Sequence, residues 1–293
     1  MTRHPLYGAG LAALGTLVLT PDTLFMRWSG MDGFAMVAWR GIPMGLLLIG
    51  LWLITERTKL RAGFAALCAP AGIGVILCHG TNAVLFGLGI AIAPVPVVLF
   101  GVATVPVFAA FFGWAFAGEP VGRSTGVATV AVLGGIGLAV FGRSAEGIDL
   151  NASAVLGALA GLGVAAALAM SFVLIRKARD LPILPAIGTG ALLSGLIGFT
   201  LASPGTLLSG NLWAIALTGM VILPGSFILL SMATRHTTAT VVSLLMLLET
   251  VLGPFWVWLG AGEAVTFPMI AGGGIVVMSL CLYLLTTSRS TQT

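Results

Sequence analysis

The chain has 293 residues, of which 58% are apolar and only 8% charged, and its mean hydropathy is +1.12. Soluble domains carry about a quarter of their residues as charges, so this composition excludes soluble enzymes, nucleic-acid binders and secreted disulfide scaffolds. A spanning helix takes about 20 residues, which leaves room for no folded extramembrane domain and makes the net charge of +4 a question of how cations divide among loops.

Apolar tracts bounded by charges or by Pro, Gly and Asn turns predict ten transmembrane helices. They fall at about Leu6 to Met26, Gly33 to Thr55, Pro70 to Ile92, Pro94 to Ala117, Gly122 to Phe141, Ala152 to Ile175, Ile183 to Leu201, Asn211 to Met232, Thr237 to Leu259 and Val265 to Leu285. The first tract is too long for a signal h-region and lacks an Ala-x-Ala cleavage site, so it is expected to persist as a span. Between Arg61 and Glu119 the chain has no Asp, Glu, Lys or Arg. That is long enough for two spans reversing at Ala93-Pro94-Val95-Pro96, because Pro starts a helix well and continues one badly. The tract from Leu181 to Thr234 is likewise free of these charges, and Ser203-Pro204-Gly205 divides it.

Orientation follows from the cations. With the N-terminus inside, the inner segments hold Arg3, Arg57, Lys59, Arg61, Arg123, Arg176, Lys177, Arg179, Arg235 and Arg289, the outer loops only Arg27 and Arg143, and Arg40 lies within a span. Ten against two places both termini in the cytoplasm. Cys68, Cys78 and Cys281 sit in apolar tracts without CxxC or Cys/His spacing, which predicts reduced, buried side chains and no metal site.

Sliding the chain against itself by 144 residues sets FFGWAFAGEPV, Phe111 to Val121, over FWVWLGAGEAV, Phe255 to Val265, with six identities in eleven positions. The same offset sets His79 to Asn82 over Leu223 to Ser226 and Pro94 to Val97 over Thr238 to Val241. The expected fold is therefore all-α, an integral membrane protein whose ten helices form two inverted five-helix repeats, residues 1–145 and 146–293, around a central cavity. An odd number of spans turns the second copy upside down. It sends the Gly118-Glu119 loop inside and the Gly262-Glu263 loop outside, as the cations independently require. Inverted repeats suit alternating access, since the halves can exchange conformations around a site near the midplane.

These residues resemble a known family. Five plus five spans, together with the paired segments Thr104 to Glu119 and Thr237 to Glu263, in each of which a Pro-containing helix ends in Gly-Glu before a short helix, resemble the EamA-type drug/metabolite transporter superfamily. Ala38-Trp39-Arg40 is similar to the Ala-Arg-Phe element of that family's second span, with Trp39 inserted and Gly41 in place of Phe; its first-span Trp-Gly is here Leu14-Gly15. Within the superfamily the chain looks most like the YddG-type exporters of aromatic and neutral amino acids. The resemblance implies outward transport of small metabolites, most of all amino acids with apolar or aromatic side chains, across a bacterial inner membrane.

Three charged side chains lie inside spans, Asp22, Arg40 and Glu249. Each costs about 2.5 to 3.5 kcal/mol on insertion scales, so each is expected to face protein or water and to find a partner. Asp22 and Arg40 stand about equally far from the inner ends of the first two spans, hence at one depth. They form either a structural ion pair or a proton-coupling pair. Glu249 has no cation within a turn of its own helix and is the better single candidate for proton coupling or for holding a substrate ammonium. The alternative is a protonated Glu bonded to carbonyls that Pro254 frees.

His79 and Asn82, three apart on one face of the third span, are candidate cavity residues, because such groups in an otherwise charge-free stretch are costly unless they meet water or ligand. Ser226 and Ser231 would act from the opposite side. For the deeper aromatics Trp39, Phe86, Phe100, Phe172 and Phe227 core packing is the default and one or two are expected to line the cavity, with Trp39, Phe86 and Phe172 the named candidates. Trp28, Trp213 and Trp258 lie near span ends, where an interfacial belt is expected. Gly41/Gly45, Gly122/Gly126 and Gly157/Gly161 have the spacing that lets helices approach closely, and Pro21, Pro43, Pro106, Pro224 and Pro254 should bend their spans.

A channel or scaffold is one rival class, though a channel needs a symmetric polar pore lining and only scattered Ser, Thr and Asn are available; an intramembrane enzyme is the other. It needs converging catalytic groups, yet the sequence has three His and no HExxH, GxSxG or acidic metal cluster. The expectation is a secondary transporter rather than an enzyme, without cofactor or nucleic acid, facing lipid and a small-molecule substrate, as monomer or homodimer. A multidrug or nucleotide-sugar carrier is the alternative within the superfamily.

Overall fold

The computed structural model describes residues 5–93, 95–118 and 152–261, with isolated helical positions between 126 and 135 and between 267 and 282. Among the described residues every regular element is helical: α1 Pro5–Leu19, α2 Asp22–Ser29, α3 Gly33–Thr55, α4 Leu60–Cys68, α5 Pro70–Ile92, α6 Val95–Val102, α7 Val105–Ala117, α8 Ala152–Lys177, α9 Ile183–Leu201, α10 Leu212–Leu217, α11 Leu223–Thr234 and α12 Ala239–Ala261. A π turn, Thr218–Ile222, joins α10 to α11. Seven helical stretches among the described residues are long and apolar enough to cross a membrane, so the chain is all-α with the make-up of a multi-pass membrane protein. Of the expected fifth and tenth spans only those isolated helical positions are described; Gly122 and the Gly262-Glu263 turn lie outside the described residues, and a Cβ on Gly126 would meet nothing within 4 Å, so no close approach is seen there.

Two expected single helices are each two pieces, and proline explains where. Pro lacks an N–H and its ring crowds the carbonyl four residues back. Pro21 crowds Leu17, α1 stops at Leu19, and the Leu17 carbonyl accepts instead from the Thr20 hydroxyl at 2.9 Å. Pro106 likewise stands two residues past the Ala103-Thr104 break, where Thr104 donates to the Gly101 carbonyl at 2.6 Å. Pro224 follows the π turn, and Thr218 donates to Ile215 at 2.8 Å. Nearby hydroxyls thus take up carbonyls that a bilayer could not satisfy. Pro43, by contrast, lies in unbroken α3.

The helices associate through small residues. Along the seam between α3 and α9 the backbones touch, and a Cβ on Gly41 would lie 2.5 Å from the Ala191 carbonyl oxygen. Gly161 meets Gly101 of α6 in the same manner, 3.0 Å from where its Cβ would be to the Gly101 Cα. The Gly41/Gly45 and Gly157/Gly161 spacings thus mark close-packing points, as predicted. A core of Leu168, Phe172, Ile175, Leu230, Leu244 and Leu245 fills the space between α8, α11 and α12. Gly118, at φ 64°, closes α7 in the left-handed conformation, as its position before Glu119 suggests.

Basic side chains stitch one end of the bundle. Arg176 donates to the carbonyls of Thr234, at 3.2 Å, and Thr237, Lys177 donates to Phe116 at 3.0 Å, and Arg235 donates to Leu181. These cations thus cover carbonyls at the ends of helices and in the turns between them. At the opposite end Asn211 donates to the Ser29 carbonyl at 2.8 Å, and Asp32 caps α3 by accepting from the Ala35 N–H at 2.9 Å. That bond, with one from the Thr206 hydroxyl, holds the Asp32 carboxyl below its ordinary range. Turns that a regular alternation of spans sends to one side thus meet each other.

Phe25, Trp28 and Trp213 cluster at the end that carries Asp32, with ring centroids 5.4 to 5.9 Å apart. Phe111 and Trp114, and 144 residues on Phe255 and Trp258, are all exposed. Cys68 is exposed at the end of α4 and Cys78 is half-buried, both as free thiols. The expectation of buried thiols fails at Cys68, because α4 is a surface helix with only Leu67 buried. Cys281 lies outside the described residues.

Candidate functional site

A cavity opens where α2, α3, α5, α8, α11 and α12 converge, bordered by Asp22, Arg40, His79, Asn82, Phe86 and Glu249 together with apolar residues such as Met44, Leu168, Leu223, Phe227 and Met246. Asp22 reaches it because the break at Thr20-Pro21 restarts the helix there. It occupies the first turn of α2, where the helix dipole favours a carboxylate. Its Oδ2 meets Arg40 Nη1 at 2.8 Å, with the Asp22 side chain 2% and the Arg40 side chain 13% exposed. This is the pairing that their equal depth suggests. The Arg40 guanidinium also stands 5.6 Å from the centroid of the Phe86 ring, a cation–π distance.

Glu249 borders the same cavity from α12, near enough to Asp22 and Arg40 for their charges to act on it. The three charges that the sequence places in separate spans thus share one chamber. Asp22 Oδ1 is buried without a hydrogen-bond partner. One turn beyond Gly253, Trp256 donates to the Thr20 hydroxyl at 2.9 Å, so α12 holds the break of the first span in place.

His79 and Asn82 lie side by side on the buried face of α5, and both border the cavity. The His79 ring meets Phe227 edge-on at 4.8 Å. Four other candidates stand elsewhere, none of them among the residues bordering the cavity. Phe172 is 1% exposed within the core. The Trp39 indole donates to the Leu207 carbonyl at 2.7 Å, in the segment between α9 and α10. Ser226 donates to Leu223 at 3.1 Å, and Ser231 is buried, its hydroxyl unpartnered. The π turn accounts for Ser226. It adds a residue to the turn and so rotates the helix beyond it by about 100°, which presents Leu223 and Phe227 to the cavity in place of Ser226.

At the 144-residue offset three pairs of residues both border the cavity: His79 with Leu223, Ala83 with Phe227, and Val102 with Met246. Met44 and Met246 are wall residues that sequence reasoning did not assign, since an apolar cavity wall and an apolar core carry one pattern, and of the deeper aromatics it is Phe86 and Phe227 that border the cavity. The offset itself was the available signal for Leu223, Phe227 and Met246.

The chamber can hold charge. It brings two carboxylates and one guanidinium to an otherwise apolar wall, with an amide and an imidazole at one side. Among the described residues no group of His, Cys, Asp and Glu could hold a metal ion.

No protein-family model matches the chain, and no curated protein matches it in sequence. Solved structures do match: 29 chains share the fold. One, a crystal structure of a protein, aligns with a TM-score of 0.78 at 16% identity, covering 95% of this chain and 98% of its own. At that identity the likeness is one of fold.

Proposed function

We propose that the chain is a secondary carrier of the EamA type, ten helices in two inverted repeats, that exports small metabolites across a bacterial inner membrane by alternating access, both termini facing the cytoplasm. The preferred substrates are amino acids with apolar or aromatic side chains, and Glu249 is the group through which a proton couples. The observation that carries this reading is the set of three cavity pairs 144 residues apart. A duplicated unit whose equivalent positions face one chamber is what a pseudo-twofold carrier requires. The buried charges at the chamber agree with it, since intramembrane ionisable groups mark substrate and ion paths. Exposed Phe111/Trp114 and Phe255/Trp258, at equivalent positions of the two units, fit aromatic belts at opposite interfaces.

Counterflow tests the proposal. Proteoliposomes loaded with unlabelled phenylalanine should accumulate labelled phenylalanine transiently, and a pH gradient should change net flux. Conduction without exchange identifies a channel, and absence of both flux and exchange identifies a scaffold; either result overturns the carrier reading.

A further inference from the structure

We propose that the connection between α3 and α5 is a docking ledge for the headgroup of an anionic phospholipid. Neighbouring antiparallel helices need only about 2 to 8 residues between them. Here residues 56–69 intervene, built as a 3₁₀ turn, Arg57–Lys59, followed by α4, Leu60–Cys68. At nine residues α4 is too short to cross a bilayer, and it is fixed on two sides. A Cβ on Gly63 would lie 2.5 Å from Trp52 Cζ2 near the end of α3, and one on Gly72 of α5 would lie 2.5 Å from the Leu67 carbonyl oxygen. Phe64 also meets Trp52 edge-on, with ring centroids 5.1 Å apart. The connection is therefore a packed element rather than a loose loop.

Its outward side carries two chemistries. Arg57, Lys59 and Arg61 are all exposed, against the single acid Glu56, and none of the three cations has an ion-pair or side-chain hydrogen-bond partner among the described residues. Beside them Phe64, 54% exposed, Ala65 and Cys68 form an exposed apolar strip, Phe64 and Cys68 standing four apart on one helical face. The helix α3 starts at its Asp32 cap and runs for 23 residues, about 35 Å, so the ledge lies at the bundle end opposite Asp32. That end also holds Arg176, Lys177 and Arg235, which are engaged with backbone carbonyls. The ledge cations are left for an outside anion. A short helix with cations beside an exposed aromatic strip suits the membrane interface, where the cations meet headgroups and the strip meets acyl chains. A free phosphate would use the cations alone and leave Phe64 and Cys68 uncovered, which favours the lipid.

The test uses the full-length protein with Cys78→Ser and Cys281→Ser, a fluorophore on Cys68, and phosphatidylcholine bilayers. The probe sits about 10 Å along α4 from Arg61. Doxyl-labelled phosphatidylglycerol should quench it with an association constant about 5- to 30-fold above that of doxyl-labelled phosphatidylcholine, the span of one to two net cations at a surface. The preference should saturate while phosphatidylglycerol is still a minor lipid, and it should fall as salt rises. Arg57→Gln, Lys59→Gln and Arg61→Gln together, checked for an unchanged melting profile, should abolish it; the saturation and salt readings need no such substitution. Equal quenching by the two lipids overturns the proposal, as does a preference that survives the triple substitution. A preference that grows in proportion to phosphatidylglycerol without saturating means diffuse attraction, and one reversed by inorganic phosphate means a soluble-anion site; both overturn it. Transport plays no part in these readings, so they stand apart from the carrier reading.

Discussion

Arg40→Met is expected to destabilise the protein by about 3–5 kcal/mol, and Asp22→Asn added to it should restore most of the loss. Removing the guanidinium strands the Asp22 carboxylate, whose side chain is 2% exposed, beside a second carboxylate at Glu249. The double variant removes that stranded charge together with its partner, and buried pairs replaced by neutral groups of similar size are often nearly neutral in stability. Unfolding titrated with SDS in mixed micelles reads both values. A single variant as stable as the parent would mean that the pair is hydrated, and the chamber would then be an open aqueous vestibule rather than a dry, selective site.

The second large effect belongs to the seam that carries Arg40. Gly45→Leu should cost about 1–3 kcal/mol or more, because its Cβ would fall 2.6 Å from the Leu192 Cβ and 2.8 Å from the Gly188 carbonyl oxygen. The obstruction is largely backbone, so it cannot swing aside as a side-chain tip would. Gly50→Leu on the same helix meets nothing within 4 Å. It should be neutral within about 0.5 kcal/mol or slightly stabilising, since a helical Gly costs about 1 kcal/mol against better helix formers. The same unfolding titration compares the two. Equal losses at Gly45 and Gly50 would show that the helices are held by something other than close backbone contact.

Much of the scaffold was legible because bilayer physics leaves few choices. Gly33 to Thr55, Pro70 to Ile92 and Ile183 to Leu201 begin and end where hydropathy and capping residues place them, each bounded by charge, Pro or a polar turn. The Asp22–Arg40 pair was legible too, since depth along a helix is simple arithmetic at 1.5 Å per residue. The misses share a cause. A Pro in a span announces strain without saying whether the helix breaks, as at Pro21, widens, as before Pro224, or runs on, as at Pro43. That choice depends on whether a hydroxyl such as Thr20 or Thr218 is placed to take up a displaced carbonyl. Once the π turn rotates α11, the face expected from a regular helix is wrong by about one residue, which removes Ser226 from the wall and brings in Phe227. Trp39 was legible as a deep aromatic, but its bond to Leu207 joins positions 168 residues apart, and no local pattern encodes such a pairing.

Whether two upended halves enclose one chamber is decided by the accessibility of single cysteines at Glu119 and Glu263, in a background cleared of Cys68, Cys78 and Cys281. A membrane-impermeant maleimide applied to right-side-out spheroplasts should label position 263 and spare position 119, and inverted vesicles should reverse the result. Labelling of both positions from one face would contradict the inverted duplication, and the carrier built on it would fall.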